Sequence, residues 1–459
     1  MKNKQAITLL FISNIISGFA QGISMMAIPW YFVDIIDKPE IFVFFYLFIT
    51  FLTLFWGLYA GTIVDRYSRK KVFIYTNLIC GSVIGLISYY GFLNDSNPEY
   101  LLSEYLVLLV FGLTIFNYNI HYPNLYAFGQ EITEKRNYGK LNSYIEIQGQ
   151  VTSMFAGAFA AVLLTGITNS SFTVAGFNIT FPFTIEAWSI QKVFMMDAIT
   201  YFVGITLFLF IKYTPIDKGE VHLGSLLSRL KGGFKYLRSN PNIFAFGTLS
   251  YILFAFTLVQ VHVLLPSYVE KFMNSSADVY ASAEVYYSIG AILSGFLVYR
   301  IFSKYNEYLS VVLLMFVVSI AFLGMSFSNN LFLFFAANLI LGVTNAGVRI
   351  LRTTYLFSHV PNNLIGRSNS VFGSINVVIR MILISTFSIP FFLQDDNIRW
   401  GYFAGSVLVL LTVITLLYYY FKTKEESDKI YMKGKLFELI EQIITIILIL
   451  LFLIYNVVK

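Results

Sequence analysis

The chain has 459 residues, 57% of them hydrophobic and 12% charged, with a mean hydropathy of +0.70. Soluble chains carry about 25% charged residues, so a water-soluble fold is excluded. The formal charge of +6 does not point to nucleic acid, because the bases gather in short connections between apolar runs. The single cysteine, Cys80, sits inside an apolar run. That excludes a disulfide framework and a cysteine metal site, and the thiol is expected to be buried and inert.

In chain order, the first apolar run covers 7–33. It is too long for the hydrophobic core of a signal peptide and lacks a small-residue cleavage site, so it reads as a retained first span. The runs 42–64 and 72–93 follow, each free of charge. At about 1.5 Å per residue each crosses a hydrocarbon layer of roughly 30 Å. Further spans are expected at 104–128, 141–164 and 191–213, then at 243–269, 279–302, 308–327, 331–357, 369–393 and 400–421. The expected fold is therefore an all-α membrane protein of twelve transmembrane helices in two six-helix bundles. The bundles are residues 1–212 and 243–422, joined by a cytoplasmic linker at 213–242. Residues 423–459 form a charged tail and an extra apolar helix, and the run 436–458 is long enough for a thirteenth span.

With the N-terminus inside, about 25 of the 31 Lys and Arg residues fall on inner segments and about 4 on outer ones, the asymmetry that fixes orientation. The linker carries apolar residues at three- and four-residue intervals with bases between them, as in a helix lying on the inner leaflet. The long outer loop at 166–190 includes an alternating stretch at 172–181, read as a small β-hairpin.

Between the second and third spans lies Gly61-x-x-x-Asp65-Arg66-x-x-Arg69-Lys70. This resembles the loop 2–3 signature of the major facilitator superfamily. The resemblance implies that Asp65 caps or pairs at a neighbouring helix end, and that the bases latch the two halves while the cytoplasmic gate is shut. It also implies that the small residue at Gly61 lets helices approach closely. Ser68 stands where the family usually has Gly, and Ser enters left-handed backbone less readily. Further features are similar to the branch that exports macrolides, other drugs and siderophores. They are Gly233-Phe234-x-Tyr236-Leu237 before Asn240-Pro241, His121-x-Pro123, Asn142, and Val360-Pro361 followed by Gly366-Arg367. None specifies a substrate.

Polar residues inside the apolar runs are the candidate site. Charges within a bilayer are costly and usually face the bundle interior. Arg380, near the middle of the eleventh span, is read as binding an anionic group or pairing with an acid, with a structural ion pair as the alternative. Glu146 and Glu284 are the proton-coupling candidates, and Asp197 is read as structural. Asn14, Gln21, Asn117, His121, Asn124, Gln260, His262 and Asn345 complete the expected substrate cavity. By the family resemblance they fall on spans 1, 4, 7 and 10, which line the cavity in that fold. Pro266 is expected to kink the seventh span.

The leading reading is a secondary transporter, a proton-coupled exporter of an amphipathic small molecule such as a drug or siderophore. An importer of lysophospholipid or another lipid-like solute, and a non-transporting receptor, remain as alternatives. No phosphate-binding Gly-x-x-x-x-Gly-Lys-Ser/Thr run and no His-Glu-x-x-His pair occurs, so neither ATP-driven transport nor metalloenzyme chemistry is expected. The expected partners are a small-molecule substrate, protons and membrane lipids, with no nucleic acid, no cofactor and no metal. The chain is read as a monomer in the cell membrane with its N-terminus cytoplasmic. Cysteines placed at Arg66 and Lys235 should both react with an impermeant thiol reagent from the cytoplasmic side only; labelling from opposite sides would break the topology.

Overall fold

The computed structural model describes residues 3–94, 101–134, 137–167, 171–174, 177–180, 184–214, 224–300, 306–422 and 445. The extra apolar helix expected at 436–458 lies outside the described residues, apart from residue 445. Two compact units divide the chain: Met1–Phe172 with Thr180–Leu223, and Gly224–Lys459 with Thr173–Ile179.

The first unit holds α1 (Lys4–Trp30), α2 (Pro39–Arg66), α3 (Arg69–Leu93), α4 (Glu104–Glu131), α5 (Tyr138–Thr165) and α6 (Ile190–Phe210). The second begins with the linker helix α7 (Gly224–Ser239). It continues with α8 (Pro241–Val259), α9 (Ala277–Arg300), α10 (Glu307–Phe327), α11 (Leu331–His359), α12 (Asn362–Phe387) and α13 (Arg399–Lys422). Eleven helices among the described residues are long and apolar enough to cross a membrane, and α9, with 24 residues, matches the remaining expected span. Long helices are what such a composition dictates, because a helix satisfies its own backbone polar groups where water is absent. The starts are encoded locally. Asn3, Asn306 and Asn330 accept hydrogen bonds from the first free amides of α1, α10 and α11. Pro39 and Pro241 begin α2 and α8, where no backbone donor is needed. The expected hairpin is present as strands β1 (Ser171–Val174) and β2 (Phe177–Thr180).

The two units repeat one construction. Pro29 lies near the end of α1, and the chain widens into a π-helix over Tyr31–Ile35 before Asp37 turns left-handed at φ 47°. In the second unit Pro266 is followed by a π-helix over Tyr268–Phe272, and Asn274 turns at φ 49°. The tyrosine comes two residues after the proline and the left-handed Asp or Asn eight residues after it in both cases; those two residue types tolerate positive φ best among non-glycines. Each tyrosine ties its helix end to a backbone carbonyl of the same unit: Tyr31 Oη donates to Leu102 at 2.7 Å, and Tyr268 Oη to Met325 at 2.8 Å. The expected distortion at Pro266 is thus a pair of π-turns, because α8 also widens over Gln260–Leu264.

Close helix contact rests on glycines other than Gly61. A Cβ at Gly61 meets no atom within 4 Å, so no close approach among the described residues depends on it. Gly290 of α9 and Gly342 of α11 face one another's helix backbones, and a Cβ on either would collide with a carbonyl oxygen, of Leu339 and Tyr287 respectively. Neither backbone can yield as a flexible side chain would. Gly342→Ala should therefore destabilise the second unit by about 1–3 kcal/mol, seen as a lowered melting temperature of the purified protein; an unchanged melt would contradict this packing.

Candidate functional site

The basic motif works inside the first unit. Ser68 caps α3 with φ −57°, ψ 128°, an ordinary conformation, which explains why Ser suffices where the family usually has Gly. Arg69 is buried, pairs with Glu131 of α4 at 3.3 Å (Nε to Oε1), and receives the Asn124 amide on its own carbonyl at 2.9 Å. Glu131 also accepts from Tyr213 Oη. Lys70 Nζ donates to the carbonyls of Leu209 and Ile211 at 3.1 and 2.8 Å. These oxygens end α6, where a cation is favoured by the helix dipole. The motif thus clamps the start of α3 to the ends of α4 and α6. The Asp65 side chain lies outside the described residues. Asn124, expected in the cavity, is instead a fully buried strut of this clamp.

Two of the motifs similar to the exporter branch, at 233–241 and 360–367, meet in the second unit. α7 packs on the start of α12, with Gly233 against the Arg367 carbonyl and Gly232 against the Arg367 side chain. Leu237 is buried with Leu356, Val360, Val371 and Phe372. Lys231, Phe234, Lys235 and Arg238 are left on the exposed face, the amphipathic division read from the sequence.

In the first unit α1, α5 and α6 enclose a groove of about 1160 Å³. Phe11, Ile15 and Phe19 of α1, Tyr144, Phe155 and Phe159 of α5, and Met196 and Thr200 of α6 line it, and Phe19 packs edge-on against Phe159 with ring centroids 5.2 Å apart. No residue lining it is charged. Its polar features include Gln148 and Thr152, one turn apart on α5. They end a hydrogen-bond chain through three helices: His121 of α4 meets Asn14 Oδ1 at 2.7 Å, and Asn14 Nδ2 donates to Gln148 Oε1 at 2.5 Å. Gln148 Nε2 then donates to Thr152 Oγ1 at 3.1 Å. Because Asn14 uses its oxygen toward His121 and its nitrogen toward Gln148, the imidazole Nε2 carries the proton of the first bond.

Several of the other expected residues make bonds within their own units. Gln21 of α1 donates to Tyr201 Oη of α6 at 2.6 Å, and Asn117 approaches the same hydroxyl at 3.5 Å. The second unit repeats this pairing: Gln260, at the end of α8, donates to Tyr402 Oη of α13 at 3.1 Å. Asn345 donates to Tyr287 Oη at 2.7 Å. Arg380 is part-buried, its Nε without a hydrogen-bond partner among the described residues, and His262 is its electrostatic neighbour. Glu146 is exposed and accepts from Tyr126 Oη at 2.7 Å; Glu284 accepts from Ser288 at 3.4 Å. Asn14, Gln21, Asn117, His121 and Asn124 are absent from the groove lining. The lining residues are mostly apolar side chains on α1 and α5, which the sequence does not separate from lipid-facing ones. Only the i, i+4 spacing of Gln148 and Thr152 marked that wall.

The Major Facilitator Superfamily model matches residues 10–384. Macrolide efflux protein A of Enterococcus faecalis is 20% identical over 322 residues, 69% of this chain and 90% of that protein. The protein of the same name from Streptococcus pyogenes is 19% identical over 367 residues, 77% of this chain and 81% of its own. Among solved structures, the nucleoside transporter NupG is similar with a TM-score of 0.64 at 13% identity, covering 91% of this chain and 100% of that one. A bacterial homologue of the iron transporter ferroportin is similar with a TM-score of 0.62 at 15% identity, covering 90% and 98%. Identities this low carry the fold alone.

Asn14→Leu removes the partner of His121 and the donor to Gln148 together. It should cost about 1–3 kcal/mol for the polar groups left unpaired, read as a lowered melting temperature, and an unchanged melt would show that the chain contributes nothing.

Proposed function

Starting from a chain that belongs to the Major Facilitator Superfamily and is a multi-pass membrane transporter, we propose that it exports an amphipathic organic small molecule in exchange for protons. One observation carries the reading: the uncharged, aromatic groove of about 1160 Å³ in the first unit. Pockets for drug-sized ligands run to roughly 300–1,000 Å³ and are mainly apolar with a few placed polar groups. This groove lies just above that range, matching a bulky cargo better than a sugar or a nucleoside. Phe11, Phe155 and Phe159 offer apolar area and ring faces, while Gln148 and Thr152 offer an amide and a hydroxyl to the cargo's polar edge. The curated relatives named for macrolide efflux support cargo of this class.

In this reading the N-terminus is cytoplasmic, which the distribution of bases supports, and the two units rock in alternation as parallel repeats do. The clamp built on Arg69 and Lys70 keeps the inner end of the first unit rigid as it moves. Arg380 supplies the second unit's positive charge to a cargo carboxylate. Gln21, Asn117, Gln260, His262 and Asn345 belong to the polar interior that surrounds the transport path. Glu146 and Glu284 are acids available for the exchanged proton. A lipid-like solute carried inward would use the same apolar groove, so the direction of flux separates the two readings.

Purified protein in liposomes should move a macrolide or a lipophilic dye against its gradient when a pH gradient is imposed. Phe155→Ala should weaken apparent cargo affinity about 2- to 10-fold, the worth of one aromatic contact. Arg380→Ala should abolish flux of anionic cargo and spare neutral cargo. Flux of neither macrolide nor dye would contradict the proposal, and inward flux of a lysophospholipid in their place would establish the lipid reading.

A further inference from the structure

Asp197 has no role in the reading above. It lies seven residues into α6, about 10 Å from that helix's start, and is fully buried. Among the described residues neither carboxyl oxygen has a hydrogen-bond partner. The polar groups around it are few. Ser24 of α1 stands beside it outside hydrogen-bonding geometry, Cys80 faces it from α3, and Tyr201 lies one turn further along α6. None is a base. The Tyr201 hydroxyl is held by Gln21 and Asn117.

An ionised carboxylate with neither a donor nor a cation, deep in a helical bundle, is among the most costly arrangements a protein can hold. A structural acid would have a partner to hold, as Glu131 has in Arg69. Asp197 has none, yet it sits beside the groove: Met196 and Thr200, its neighbours on α6, line the groove. Thr200 Oγ1 donates to the Asp197 backbone carbonyl at 2.8 Å. Cargo that engages Thr200 therefore acts on the turn that carries the acid.

Resting on the proton-exchange reading, we propose that Asp197 is the acid that carries the exchanged proton. With the groove empty it is held as a neutral carboxylic acid among Ser24, Cys80 and Tyr201. Cargo in the groove repacks α6, water reaches the carboxyl, and the O–H bond breaks to leave carboxylate and a released proton. Uptake of a proton from the other side restores the neutral acid. Glu146 and Glu284 accept hydrogen bonds from Tyr126 and Ser288 in the same state, whereas neither Asp197 oxygen accepts one among the described residues.

The test uses the full chain in liposomes, with one macrolide and one lipophilic dye as probes. Flux driven by a pH gradient and counterflow exchange of cargo for cargo are measured separately. Asp197→Asn should lose pH-driven flux and keep counterflow, which reports a folded, cargo-binding protein. Asp197→Glu should restore pH-driven flux with a shifted pH profile, and the infrared carbonyl band of a protonated carboxyl should vanish in Asp197→Asn. If the wild type is coupled and Asp197→Asn stays coupled, this assignment falls and proton exchange stands. If the wild type transports without responding to pH, proton exchange itself falls. Loss of both activities in Asp197→Asn, with an unshifted pH profile in Asp197→Glu, would make the acid structural and overturn the proposal.

Discussion

A polar side chain inside an apolar bundle is costly unless it finds a partner there, and the fold of this chain follows from that constraint. The backbone meets it by coiling into helices. The side chains meet it by reaching across to the neighbouring helix: Gln21 to Tyr201, Gln260 to Tyr402, Asn124 to the Arg69 carbonyl, Asn345 to Tyr287. Each such bond is worth only about 0.6 kcal/mol on average between membrane helices. Leaving one half of it unmade costs more, so these pairs fix which helices are neighbours and in what rotation. That the first and last helices of both six-helix halves are tied by a glutamine–tyrosine pair shows one solution used twice.

The same constraint separates structure from function. Residues whose hydrogen bonds are closed within the unit hold helices together, and Asn124 and the Arg69–Glu131 pair belong to this class. Residues that end a chain at a surface can offer their remaining capacity to a ligand. Gln148 and Thr152 do so, because they terminate the His121–Asn14 chain at the groove wall. Around them the lining is aromatic and aliphatic, so on the proposed reading the groove would select by area and shape and use its few polar groups to orient cargo. Such a wall suits molecules that are mostly apolar with a polar edge, and it tolerates variation among them.

Much of the architecture was legible in the residues. Uninterrupted apolar runs marked the spans, and the alternation at 172–181 marked the hairpin. Gln21 and Gln260 stood out as polar residues in apolar runs; their partners did not, because Tyr201 and Tyr402 are two among 32 tyrosines. The π-turns after Pro29 and Pro266 were hidden, since a proline announces a distortion without specifying its form. The groove was illegible for a deeper reason. In a soluble helix the apolar face is the buried face, whereas in a membrane helix lipid and an apolar cargo ask for the same side chains. Phe155 and Phe159 therefore look like lipid-facing bulk until the groove they share with residues of α1 and α6 is seen. Asp197 was read as structural from its helix alone; its surroundings, which the sequence does not display, hold no hydrogen-bond partner for it among the described residues.

The central claim is that bulky amphipathic cargo occupies the groove between α1, α5 and α6, and covalent capture tests it most directly. A macrolide or dye carrying a photoreactive diazirine, activated on the reconstituted protein and located by peptide mass spectrometry, should mark residues 7–19 and 144–159, and excess unmodified cargo should suppress the labelling. Competable labelling confined to other helices, with these two stretches unmarked, would contradict the account.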